Sequence, residues 1–539
     1  MTVIDRSARR GGPVMATMRR IIVVGRGRPL LDMGQPTSRR ASANMILDRQ
    51  TLRGKTMKRV HSVLVALAGL ILLLGGCATR PVNPPITEVD RTTGYRYLTR
   101  VPHFKDPQNL VVLAFSGGGT RAAAFSYGVL EQLRRIEITG PKGNSIRMLD
   151  EVKIITGVSG GSFTALAYGL YGEQLFDSYE TSFLKRDVQG ELIRRVLSPA
   201  SWGDWGRAET AAKLYDDILF HGATFGDLDR GDGPWIIVSA TDITNGARLP
   251  FHQGAFDVLC SNLDAVPLSR AATASSAVPF AFSPITLNNY GGTCNFSLPA
   301  FLTVFADPAT APRPASRALL RLQDLMFYED GAHRPYIHLL DGGLSDNLGM
   351  RGVLETVDDL EALSSVGQPS PFDNLRRIIV FIVNSRSSPS TDWYENEHPP
   401  GAIPLLIKAT GVPIDHYSSD TVEQLKDAIA RWQMMRRVRE SPAFDANRDP
   451  EAARLLRTPN IDLYAIDVSF AALKDKAERD YLNDLPTSFV LPPEAIDRLR
   501  SAAATIIRES PDFKRLLKDA GARIVERPVG GTSGDPGAR

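Results

Sequence analysis

Ser159 stands in Gly157-Val158-Ser159-Gly160-Gly161, directly after the apolar run Val152 to Thr156 and before the helix-like stretch Phe163 to Tyr168. A serine among glycines at these spacings fits G-x-S-x-G. At a strand-to-helix junction that pattern makes a sharp turn that projects the hydroxyl as a nucleophile. Gly157 and Gly161 are the candidate elbow glycines, because side chains beside the turn would crowd it, and the helix that follows brings its positive end towards the reacting centre. The bland alternative is a serine capping an ordinary helix. A second cluster, Ser116-Gly117-Gly118-Gly119-Thr120-Arg121, also joins an apolar run to a helical pattern. Its consecutive amides, those of Gly117, Gly118 and Gly119, can converge on one anion, either a phosphate or a developing oxyanion. The Gly-Lys-Ser/Thr ending of a P-loop is absent, so beside a nucleophile the oxyanion reading is preferred to a phosphate site. The third element is Asp341, at the end of Ile337-His338-Leu339-Leu340 and before Gly342-Gly343. A carboxylate placed there can take the serine proton if burial lifts its pKa above the ordinary value of about 3.9. Asp346 reads as a helix cap. Histidine is the usual base, but His338 reads as a packed strand residue, and His398 and His416 lie in weakly patterned segments.

Short apolar runs at 110–115, 152–156, 235–241, 336–340 and 377–384 read as buried strands, with helices such as 121–135 and 349–363 between them. The alternation implies an α/β sheet layered by helices. Residues 301–335 interrupt it with a Pro-rich stretch and then an apolar helical pattern, an insertion that either covers the site or is a surface excursion. Beyond Pro399 the pattern turns mainly helical, clearest over 420–439, and a Gly-rich tail follows.

The glycine loop at 116–121, the elbow at 157–161 and the Asp-Gly-Gly at 341–343, in that order, resemble the patatin-like phospholipase family. Ala274-Ser275-Ser276-Ala277-Val278-Pro279 resembles a family segment that precedes the last catalytic strand. The resemblance covers roughly 108–386 and implies a three-layer α/β/α sandwich, here with a mainly helical C-terminal extension. It also implies a lipid acyl hydrolase, of phospholipase A or lysophospholipase type, with Ser159 as nucleophile, Asp341 as base and then acid, an oxyanion hole of Gly117, Gly118 and Gly119, and Arg121 supporting that loop. Plant members begin the loop with Asp where this chain has Ser116. An acyltransferase or thioesterase on the same dyad, or a lipid-binding envelope protein without turnover, remains open. No metal or cofactor is implied, since the chain has no H-E-x-x-H, C-x-x-C or EF-hand spacing.

The expected organisation is an over-extended start at 1–56, a lipoprotein signal peptide at 57–76, a tether at 77–104, a catalytic domain at 105–390, a helical region at 391–523 and a disordered tail at 524–539. Met57-Lys58-Arg59, the 12-residue apolar run Val63 to Leu74 and Gly75-Gly76-Cys77 have the layout of an export signal. The run is too short to span a bilayer, which takes roughly 20 residues. Leu74-Gly75-Gly76-Cys77 resembles a bacterial lipobox, which implies lipid on Cys77, and Ala78 after it favours the outer membrane of the cell envelope. Removing 1–76 takes away 14 basic and 3 acidic side chains and changes a net charge of +3 to −8. The acidic mature chain argues against nucleic acid and leaves membrane phospholipids or lysophospholipids as the expected partners. Cys260 and Cys294 are then either a disulfide, which an exported compartment permits, or two buried thiols.

Overall fold

The computed structural model describes residues 80–524 apart from 105–107, 140–144, 202–205, 299–315, 368–371, 373, 390, 392, 458 and 522. The chain divides into two units, Met1–Gly75 and Gly76–Arg539, and everything described belongs to the second. The expected start, signal peptide and Cys77, and the tail beyond Ile524, lie outside the described residues.

The described residues build an eight-stranded mixed sheet. Its strands are β1 (Asn109–Phe115), β2 (Val152–Gly157), β3 (Trp235–Asp242), β4 (Arg248–Pro250), β5 (Ile285–Asn288), β6 (Tyr336–Leu340), β7 (Arg377–Asn384) and β8 (Asp462–Ser469). The order is β8-β7-β1-β2-β3-β6-β5, with β4 paired to β3. The first five in that order run parallel, β6 is antiparallel to β3, and β5, antiparallel to β6, runs in the direction of the first five. β1 and β7 are the strands whose sequences lack polar alternation, because both their faces are covered. Val111, Leu113 and Phe115, with Ile379, Phe381 and Val383, pack on α1 (Gly119–Arg134), α2 (Gly160–Tyr171) and α8 (Pro493–Glu509). Leu110, Val112 and Ala114, with Ile378, Val380 and Ile382, pack on α6 (Arg351–Val366) and α7 (Ala402–Arg439). The outcome is the layered α/β sheet that the alternation implied, in the three-layer α/β/α form that the resemblance implied.

Two expectations change. The C-terminal region is mainly helical, but it also supplies β8, which pairs with β7 along its whole length. Arg500 of α8 reaches back to Glu131 of α1 at 2.7 Å, so 391–523 is part of the same body. Residues 80–104 do not form a tether. The Asn83 side chain pairs with the backbone of Asn288 in both directions, the Ile86 amide donates to the Cys260 carbonyl, and Arg96 pairs with Asp257 at 2.9 Å. Of the expected insertion, Ser316–Glu329 forms a helix, α5, whose Arg321 pairs with Asp359 of α6 at 2.9 Å. Residues 299–315 lie outside the described residues.

Candidate active site

Parallel neighbours bring their C-terminal ends together, and β1 and β2 are neighbours in register from Phe115 against Gly157. The Ser116–Arg121 loop and the Ser159 turn therefore emerge side by side. Ser159 has φ 48° and ψ −121°, a left-handed conformation that costs a non-glycine residue of order 1–3 kcal/mol. The surroundings hold it there. Its amide donates to Ser275 Oγ at 2.9 Å, and that hydroxyl donates to the Ser239 carbonyl at 2.7 Å. A Cβ on Gly161 would lie 2.6 Å from the Ser116 carbonyl oxygen, and one on Gly160 would run into the Gly119 carbonyl. Gly160 is thus as constrained as the expected elbow residues, because it is the point at which the two loops touch.

Asp341 follows β6 and is held on every side. Its amide donates to the Ala277 carbonyl at 2.9 Å, its carbonyl accepts from Thr241 Oγ1 at 2.8 Å, and its Oδ1 accepts from the Gly343 amide at 2.7 Å. The carboxyl is buried beside the Ser159 side chain. Burial pushes its pKa up to about 6, against the opposing pull of the Gly343 amide and the serine hydroxyl. A base of that strength beside a serine is ionised at neutral pH and still able to take a proton. Among the described residues no histidine is a hydrogen-bond partner of Ser159 or Asp341. His338 is not packed inside its strand as expected. It sits on the exposed side of β6 with Nδ1 at 3.1 Å from Thr286 Oγ1. Asp346 accepts from the amides of Met350 and Arg351, capping α6.

The glycine loop departs from expectation in one position. The Gly117 amide donates to the Asn347 carbonyl at 2.9 Å, so it is already engaged. The Gly118 and Gly119 amides have no acceptor among the described residues, and Gly118, at φ 140°, takes a conformation open to glycine alone. Residues 113–354 match the family model described as Patatin-like phospholipase. The chain carries a patatin-like phospholipase domain. It is 30% identical over 185 residues to protein YqhO of Bacillus subtilis, covering 33% of this chain and 59% of that protein's length. Among solved structures it is similar to human GIVD cytosolic phospholipase A2, at 12% identity and a TM-score of 0.38, over 83% of this chain and 69% of that one. It is also similar to VipD from Legionella pneumophila, at 10% identity and a TM-score of 0.26, over 84% and 73% of the two chains.

The patatin-like domain is completed from outside the matched residues. Arg121 is buried and donates to the carbonyls of Ser385 (2.7 Å) and Leu485 (2.8 Å) and to Thr487 Oγ1 (3.1 Å). Burial lowers its pKa to about 10, with Asp415 opposing the shift. The Thr120 amide donates to the Ser488 carbonyl, which leaves no room for a side chain on Gly119. Ser116, where plant members have Asp, is braced by Ser385, whose amide donates to Ser116 Oγ at 2.9 Å. Asn347 lies across the gap between the two loops, its Oδ1 2.5 Å from where a Gly117 Cβ would stand and 3.1 Å from a Gly343 Cβ. Its side-chain amide has no hydrogen-bond partner among the described residues. None of Ser275, Asn347, Ser385, Thr487 or Ser488 was picked out from the sequence as part of the site. The one signal was the Ala274 to Pro279 segment, which carries Ser275. Cys260 and Cys294 are joined as a disulfide with Cα atoms 5.4 Å apart. No group of three or more His, Cys, Asp or Glu residues is placed to hold a metal ion among the described residues, and no helix there is long and apolar enough to cross a membrane.

Proposed function

We propose that this protein is a lipid acyl hydrolase that cleaves acyl esters of phospholipids or lysophospholipids through Ser159 and Asp341. The observation that carries the reading is the Ser159 side chain beside a buried carboxyl whose pKa burial pushes up to about 6, next to the Gly118 and Gly119 amides. Asp341 takes the proton as Ser159 Oγ bonds to the acyl carbonyl carbon, and the carbonyl oxygen becomes an oxyanion that the two amides stabilise. When the tetrahedral species collapses, the ester C–O bond breaks and Asp341 returns the proton to the leaving alcohol. Water then attacks the acyl-serine with Asp341 as base, and the oxyanion collapses again. The fatty acid leaves and Ser159 recovers its proton. Arg121 acts on the loop rather than on the substrate.

Cys77 is proposed as the lipid-bearing first residue of the mature chain, at the outer membrane of a bacterial envelope, because multiple acyl chains anchor far more stably than one. Two measurements test these readings. A fluorophosphonate probe should label Ser159 in the wild type and not in Ser159→Ala, and membranes treated with the wild type alone should gain free fatty acid and lysolipid. Folded protein that neither labels nor changes the lipids would overturn the enzyme reading. Intact mass spectrometry of the native chain should find it beginning at an acylated Cys77.

A further inference from the structure

Starting from the hydrolase reading and the Cys77 anchor, we infer that the rim of the Ser159 site is a lipid-docking face, and that residues 80–86 hold it against the bilayer carrying that anchor. The rim begins at the site itself. The Ala277 carbonyl accepts from the Asp341 amide, and just beyond it Val278 and Phe280 are 37% and 64% exposed. Phe280 has φ 71°, and exposed Arg207 donates to its carbonyl at 3.0 Å. A phenylalanine held outwards in the left-handed region gains nothing from water.

The rim continues on the other side of the glycine loop. Gln189 of α3 (Val188–Leu197) accepts from Ser488 Oγ and the Phe489 amide, beside Gly119. Ile193 and Leu197 follow on the same face at four-residue spacing, 52% and 74% exposed. The chain from Leu197 then returns to Arg207 at Phe280. Single exposed apolar residues are ordinary, but these four lie on the two segments that adjoin the Asp341 turn and the Ser488 wall of the glycine loop.

The segment at 80–86 ties the anchor to this part of the molecule. Asn83 is bound at Asn288, and Arg80 donates to the Thr286 carbonyl and to Asn288 Oδ1 and lies over the Tyr336 ring, so the segment's N-terminal end is fastened to the edge of β5, the strand that follows the loop carrying Val278 and Phe280. Cys77 is three residues before Arg80, a reach of about 10 Å. A lipid on Cys77 would meet the bilayer within that reach of β5, and Val82 on the same segment is 56% exposed. Exposed Arg194 and Arg207 suit anionic head groups.

The test uses the full lipidated protein and its Val278→Ser plus Phe280→Ser variant on vesicles of phosphatidylethanolamine and phosphatidylglycerol. The variant should hydrolyse vesicle lipid about tenfold more slowly, the loss expected from removing a buried aromatic anchor. Its turnover of a water-soluble short-chain ester and its fluorophosphonate labelling should stay unchanged. Equal effects on both substrates, or none on vesicles, would overturn the docking face. A parent protein inactive on both substrates would count against the hydrolase reading instead. Docking is then read without turnover from Phe280→Trp in brominated-lipid vesicles: quenching beyond that of the parent's own tryptophans supports the face, and its absence refutes it.

Discussion

With a proton affinity centred near pH 6, Asp341 gives the proposed activity a defined acid limb. The base must be ionised, so kcat/KM should fall about tenfold per pH unit below 6 and level off above it. Asp341→Asn should cost about 10²-fold or more at neutral pH, whereas His338→Ala, on the exposed side of β6, should cost nothing. The same carboxyl weakens the fold. Below its ordinary pKa of 3.8 it is neutral in both states. Between there and 6 the unfolded chain gives up a proton that the folded chain keeps, so stability falls as pH rises across that window and stays reduced above it, by on the order of 3 kcal/mol. Asp341→Asn should therefore unfold at higher denaturant concentration than the wild type at neutral pH, and the gain should vanish in acid. Asn347, whose amide faces the gap unpartnered, should behave oppositely. Asn347→Ala is expected to leave the unfolding midpoint in place and lower kcat/KM by about threefold to tenfold, the value of one neutral hydrogen bond.

At the scale of elements, the two loops keep their shapes through ties to segments distant in sequence. Arg121→Lys tests this, because an ammonium on a flexible stem cannot reproduce a planar fork that holds Ser385, Leu485 and Thr487 together. The lysine variant should keep its circular dichroism and lose about tenfold or more in kcat, with KM little changed. These ties also mark the limit of what the sequence shows. The strands 110–115, 152–156, 235–241, 336–340 and 377–384 were legible because burial on both faces leaves uninterrupted apolar runs. The serine turn, the glycine loop and Asp341 were legible because each requires glycines at fixed offsets. β8 was not, since Asp462, Asp467 and Ser469 break its apolar pattern at the sheet's edge. The loss of the Gly117 amide to Asn347, and the hydroxyls of Ser275 and Ser385, depend on tertiary contacts between small polar residues that carry no local period.

For the whole molecule, the disulfide and the N-terminal segment act at one place. Cys260 shares its carbonyl with Ile86 and its sulfur with Cys294 across 34 residues. Closing a loop of that length should stabilise the fold by about 4 kcal/mol. Thermal unfolding with and without reductant should differ by several degrees, and alkylation of the denatured, unreduced chain should leave both cysteines unlabelled. The wall that Leu485 to Ser488 place against the glycine loop bears on timing. A polypeptide is made from its N-terminus, so Ser159 and Asp341 exist long before residue 488 does. Until then Arg121 has neither Leu485 nor Thr487 to bind, and the Thr120 amide has no carbonyl opposite it. A nascent chain, or one that stops before residue 485, thus holds Ser159 and Asp341 without the ties that shape the glycine loop beside them.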